Sequence, residues 1–165
     1  MENREKMKEH ILEKEDERQI LIFNLMKEEL GLDISCVREV LTPREIHPLP
    51  QTPDFIEGVI TLRGHIIAVI DLRKKFNIKA TEERPKRIIV CKTEQFIVGL
   101  LVDTVSEIVA LSKENIKPIP GVVSMQIQAG LLSGVARIGE RIIAVLNLQK
   151  ILTAEETTTL SEIGK

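Results

Sequence analysis

The sequence predicts a mainly β protein, all-β in class, built from two repeated small barrels, and three observations carry that expectation. Ile and Val together number 36 of 165 residues, and β-branched side chains suit a pleated, half-buried surface. Apolar residues come in short runs broken by charged pairs and turn residues, as in Ile66-Ile67-Ala68-Val69-Ile70, which is strand rather than helix texture. The pattern is also written twice. Gly58-Val59 and Ile66-Ile67-Ala68-Val69-Ile70-Asp71-Leu72-Arg73-Lys74 recur 76 residues later as Gly134-Val135 and Ile142-Ile143-Ala144-Val145-Leu146-Asn147-Leu148-Gln149-Lys150. Ile20-Leu21-Ile22, Gly31-Leu32 and Val37 to Glu39 recur 68 residues later as Ile88-Ile89-Val90, Gly99-Leu100 and Val105 to Glu107. Coincident Gly, Glu and Asx positions indicate duplication, with about five strands per copy. A sheet of that size can curl into a barrel and hide its edges.

Residues 1–18 read as a charged tail with twelve charges of mixed sign. Met7 and Ile11, four apart, suit a short amphipathic, solvated helix. Gln19 to Leu25 reads as a strand, Lys27-Glu28-Glu29 as a hairpin tip, and Leu30 to Val40 as a second strand with apolar residues near period two. Pro43, Pro48, Pro50 and Pro53 then punctuate a loop that is neither helix nor central strand. Gly58 to Leu62 and His65 to Ile70 are strands about a turn at Arg63-Gly64, where glycine permits the positive φ of a tight hairpin. Asp71 can cap a short helix from Leu72 to Phe76. A charged loop from Ala80 to Lys86 leads to strands over Arg87 to Lys92 and Phe96 to Val109, around a tip at Thr93-Glu94-Gln95. Leu111 to Ala129 reads mostly as loop, and Leu131 to Ile138 with Arg141 to Leu146 as a last hairpin about Gly139-Glu140. Asn147 can cap a second short helix, and Thr153-Ala154-Glu155-Glu156 matches a capping box that opens a terminal helix over 153–163.

Composition excludes several function classes. A formal charge of -2 gives no general attraction to nucleic acid or anionic lipid. Four Phe with no Trp or Tyr leave little from which to build a base-stacking platform. No apolar run approaches the roughly 20 residues that span a bilayer, and the charged N-terminus is no secretory signal. Cys36 and Cys91 lack a CxxC and fit a reducing cytoplasm. His10, His47 and His65 share no ligand spacing, so no metal site is expected. No P-loop, GxGxxG or nucleophile elbow occurs, so neither cofactor nor catalytic residue is expected. Asp71 and Asp103 are the acids set in strongly apolar runs. Asp71 has its capping role; Asp103 suits a buried general acid, or a carboxylate that faces solvent or bonds a nearby backbone amide. Arg63 fits a satisfied surface residue, or a guanidinium aimed at a partner carboxylate. Val37, beside Arg38-Glu39, fits either core or interface.

The stretch Gly58-Val59-Ile60-Thr61-Leu62-Arg63-Gly64-His65-Ile66-Ile67-Ala68-Val69-Ile70-Asp71-Leu72-Arg73-Lys74-Lys75-Phe76 closely resembles the signature of the CheW family, the bacterial chemotaxis coupling proteins. Gly31-Leu32-Asp33-Ile34 with Val37-Arg38-Glu39-Val40, and Gly99-Leu100-Leu101-Val102-Asp103-Thr104-Val105, look like two further family blocks in the right order. The resemblance runs from Gln19 to the C-terminus. Thr61 stands where the family usually has Asn, and Ala68 where it often has Pro; both are strand positions and bear on local geometry.

This resemblance implies one domain over 19–165, made of two SH3-like five-stranded barrels over about 19–80 and 87–152, with strand exchange between them left open. It implies an adaptor without catalysis, cytoplasmic and recruited to membrane receptor arrays. The implied partners are the cytoplasmic tip of methyl-accepting chemotaxis receptors and the C-terminal regulatory domain of the histidine kinase CheA. That domain resembles the family itself, so pseudo-symmetric barrel contacts and ring-like arrays are implied. With no kinase or receiver segment present, a stand-alone coupler is expected. An OB-type nucleic-acid binder is the rival barrel, and the missing aromatics and near-neutral charge count against it. An enzyme with its cleft between the lobes would need a titratable cluster there. On the adaptor reading, Arg63 and the groove between barrels face a receptor helix. Ile88, Ile89, Val90, Leu100 and Val102 are expected on the groove wall, and Val37 and Glu39 on a separate kinase surface.

Overall fold

The computed structural model describes residues 17–78, 87–118, 129–152 and Glu156. The chain runs through β1 (Glu17–Leu25), β2 (Glu28–Asp33), β3 (Val37–Leu41), β4 (Ile56–Leu62), β5 (His65–Asp71), a one-turn helix α1 (Leu72–Lys75), β6 (Arg87–Lys92), β7 (Ile97–Val102), β8 (Thr104–Ser112), β9 (Ile116–Lys117), β10 (Leu132–Ile138) and β11 (Arg141–Leu146). The strands form two sheets, ordered β8-β1-β2-β11-β10-β9 and β3-β6-β7-β5-β4, each curled into an SH3-like barrel.

The barrels do not follow the two halves of the chain. The first barrel takes β1 and β2 from the first repeat and β8 to β11 from the second; the other takes β3 to β5 from the first and β6 and β7 from the second. The exchange is sealed by two parallel pairings, Ala144 beside Leu30 in one sheet and Ala68 beside Val98 in the other. These are equivalent positions of the repeat. Two glycines show the same equivalence at a close approach. A Cβ on Gly58 would lie 2.1 Å from the His47 carbonyl oxygen, and one on Gly134 would lie 2.6 Å from that of Lys117.

The largest apolar cluster lies between the barrels. It draws Phe23, Leu25 and Leu30 from one sheet and Ile70, Ile89, Leu100 and Val102 from the other. Each barrel keeps a smaller interior, Ile60, Val69 and Ile88 in one and Ala136, Val145 and Ile20 in the other. The seam is therefore filled with core.

Several elements differ from the sequence reading. Leu30 to Val40 is two strands, because the Asp33 carboxylate accepts the Ser35 amide at 3.0 Å and winds Ile34–Cys36 into a 3₁₀ turn. Phe96 to Val109 breaks at Asp103, whose amide donates to the Asn24 carbonyl at 3.0 Å. The first hairpin turns over Met26, with φ 60, and Lys27, and Glu28 and Glu29 of the expected tip open β2. The segment after Leu111 carries β9, and the short helix that Asn147 caps is one 3₁₀ turn over Leu148–Lys150. The tail lies outside the described residues except for Glu17 and Arg18, which open β1. The expected helix over 153–163 lies outside them except for Glu156.

Candidate functional site

Arg63 and Gly64 form the tip of the β4–β5 hairpin with φ values of 49 and 80. From there the Arg63 guanidinium grips the Glu39 carboxylate in bidentate fashion at 2.7 and 2.8 Å. Glu39 lies on β3 and Arg63 follows β4, and these are the two edges of their sheet. The ion pair thus ties the barrel shut across its open seam. The hydrogen bond from Arg63 holds the Glu39 carboxyl below the usual glutamate range and raises the guanidinium in return. Val40, on the edge strand β3, is 40% exposed, and Ile66, on β5 just past the hairpin tip, is 56% exposed, while Val37 is half-buried against the inter-barrel core. The expectation of separate surfaces for Arg63 and Glu39 is corrected, since the two side chains hold one another.

The expected groove wall is corrected as well. Ile88, Ile89, Val90, Leu100 and Val102 are all buried. Strands β6 and β7 are central and are covered on both faces: Ile88 and Val90 point into the barrel, and Ile89, Leu100 and Val102 into the seam. The unbroken apolar run from Ile88 to Cys91 is the sequence signal of a strand buried on both sides.

The other barrel carries a similar ion-pair surface, its acid and exposed aliphatic residues at equivalent positions and its arginine at a different one. Glu107 on β8 corresponds to Glu39, and Arg141 at the start of β11 reaches it at 2.8 Å while also gripping Glu29 at 2.7 Å. These carboxylates push the Arg141 guanidinium up, Glu29 first and Glu107 second. Ile108 and Ile142, equivalent to Val40 and Ile66, are 54% and 58% exposed. Ile66, Ile108 and Ile142 were missed in the sequence, although the repeat pairs Ile66 with Ile142 and Val40 with Ile108; Arg141 was missed too, and the repeat does not point to it, since it stands opposite His65 while Gly139 stands opposite Arg63.

Around the seam the polar groups serve structure. Asp71 caps α1, its Oδ1 accepting the amides of Arg73 at 2.9 Å and Lys74 at 3.4 Å. Burial pushes its carboxyl up, against these two bonds. Asn147 accepts the Gln149 amide at 3.1 Å in the same way. Asp103 pairs with the buried Arg73 and accepts the Met26 amide at 2.6 Å, so it bonds a backbone amide and a cation rather than facing solvent. Lys75 lies 4.5 Å from the Phe55 ring centroid and pairs with Glu156 at 2.5 Å. A cleft of about 240 Å³ opens where the Thr93 to Phe96 turn meets Gln149. Among the described residues no group of three or more His, Cys, Asp or Glu side chains could hold a metal, and no helix is long and apolar enough to cross a membrane.

Residues 19–156 match the family model described as "CheW-like domain". The chain is 35% identical over 149 residues to the chemotaxis protein CheW of Klebsiella aerogenes, covering 90% of this chain and 89% of that one. It is 32% identical to the chemotaxis protein CheW of Thermotoga maritima, covering 86% and 91%. Among solved structures it resembles the scaffolding protein TtCheW from Thermoanaerobacter tengcongensis with a TM-score of 0.75 and 36% identity, covering 84% of this chain and 90% of that one. The repeat, the two barrels and these likenesses together make the chain a member of the CheW family.

Proposed function

We propose that this chain is a non-enzymatic chemotaxis adaptor that couples methyl-accepting chemotaxis receptors to the histidine kinase CheA. The observation that carries the reading is the doubled surface: an acid–arginine pair flanked by two exposed aliphatic residues on each barrel. One chain with two like surfaces can engage two neighbours at once, and a partner that carries the same fold can meet either in a head-to-tail contact. Buried apolar anchors with a charged rim are the usual composition of such contacts. The kinase regulatory domain docks on the surface of Val37, Glu39, Val40, Arg63 and Ile66. The receptor tip docks at the cleft between the Thr93 to Phe96 turn and Gln149, where the two barrels meet. Held in this way the chain joins a membrane receptor array without inserting in the bilayer.

The test is to titrate variants separately against a receptor tip and the kinase regulatory domain. Arg63→Ala and Glu39→Ala should each weaken kinase binding by roughly tenfold, the scale of a hot-spot residue, and should be strongly coupled in a double-mutant cycle. Both should leave receptor binding intact. Loss of receptor binding with the kinase spared, or equal loss of both, would overturn the assignment.

A further inference from the structure

The two barrel interiors are equivalent, but one barrel mouth is plugged and the other, among the described residues, is open. In the five-stranded barrel Leu101 faces Ile88 across β6–β7 and packs into the interior. The equivalent pair in the six-stranded barrel is Asp33 facing Ile20 across β1–β2. Aspartate lacks the tail of leucine, and its carboxylate is taken by the Ser35 amide at 3.0 Å and by Arg18 at 3.2 Å. Burial alone would raise that carboxyl, and these donors lower it overall. The interior is also thinner here, since Ala136 stands where the twin has Ile60. What remains is a cavity of about 310 Å³, floored by Ile20, Ile116 and Val145 and rimmed by Arg18, Lys113 and Ser133 beside Asp33. Its floor offers water few polar partners, so an apolar group is the better occupant. Two cations against one carboxylate give the rim a net positive charge.

We propose that this mouth is a binding pocket for an aliphatic side chain of leucine size, presented next to a carboxylate by a partner polypeptide. The twin barrel identifies the filler, because Leu101 of the chain itself occupies the corresponding place. The rim identifies its neighbour, because Lys113 adds a positive charge beyond the Arg18–Asp33 pair and so attracts an acidic flank and repels a basic one. The pocket lies on the six-stranded barrel and is independent of the Arg63–Glu39 surface.

The experiment follows amide chemical shifts of the full chain with three probe peptides: acetyl-Glu-Leu-Glu-amide, acetyl-Lys-Leu-Lys-amide and acetyl-Glu-Ser-Glu-amide. The first should give saturable shifts at Ile116, Ser133 and Val145, with the other two at least roughly tenfold weaker. Asp33→Leu, which rebuilds the plug of the twin, should abolish the shifts. Because Asp33 also caps a turn, Lys113→Glu serves as a second variant; it should remove the preference for the acidic peptide without touching the fold. Absent shifts would overturn the proposal, as would equal binding of the serine peptide. Nuclear Overhauser contacts from Ile11 or Leu12 into the cavity of the free protein would overturn it too, by making the chain its own occupant.

Discussion

Arg63 holds a left-handed backbone that suits Gly or Asn better than a long side chain. The bidentate grip on Glu39 offsets that strain and fixes where the guanidinium points. Because the folded carboxyl titrates below its ordinary 4.5, the pair is complete above the ordinary range and is lost as pH falls through the lowered value. In a carbon-detected titration the Glu39 side chain should show that lowered midpoint, and Arg63→Ala should return it to the ordinary one; an unshifted midpoint in the parent would mean the pair does not persist in water. At Asp71 the sign is opposite. Its carboxyl is raised by burial, so the parent should lose stability as pH rises from 3.8 through the raised folded value, relative to Asp71→Asn. Asp71→Ala, which removes the cap, should cost about 0.5–2 kcal/mol in urea unfolding. Both Arg63 and Glu39 stand out in the sequence, one at a turn and one in an apolar strand. Their pairing does not, because it spans 24 residues and a barrel closure that no local period records.

Asp103 decides how β7 gives way to β8. It leaves one sheet at Val102, and its carboxylate ties Arg73 of α1 to the Met26 amide at the β1–β2 turn, so three elements meet on one side chain. Asp103→Leu should therefore cost about 3 kcal/mol, the scale of stranding a buried partner. The double variant Arg73→Met with Asp103→Leu should recover part of that loss in the same denaturation assay. If the single variant is as stable as the parent, the clasp is ornamental. The sequence shows the apolar runs on either side but not the break. Alternation continues through Leu100 to Val109 whether the chain runs straight or changes sheets, and the same holds from Leu30 to Val40, where only the Asp33 cap marks the interruption.

For the whole molecule, duplication was legible and the partition of strands was not. Hairpins β1–β2 and β6–β7 share an apolar pattern and bury the same faces, apart from Asp33 in place of Leu101, so the pattern specifies what a hairpin needs, not which partner supplies it. The exchange makes the halves interdependent. A fragment of residues 87–152 holds two strands of one barrel and four of the other, and it should show no cooperative thermal transition by circular dichroism. Mixing it with residues 17–78 should restore one. A sharp transition in the isolated fragment would contradict the exchanged topology.

The exchange also sets an order of completion during synthesis on the ribosome. The five-stranded barrel has all its strands once Val102 has emerged. Hairpin β1–β2 is made first but gains its parallel neighbour β11 only when Leu146 is out. The oldest part of the nascent chain is thus the last to be enclosed. Until then it leaves the apolar stretch Ile20 to Leu25 open to chaperones or to a neighbouring nascent copy, so slow translation beyond Val102 lengthens the time at risk.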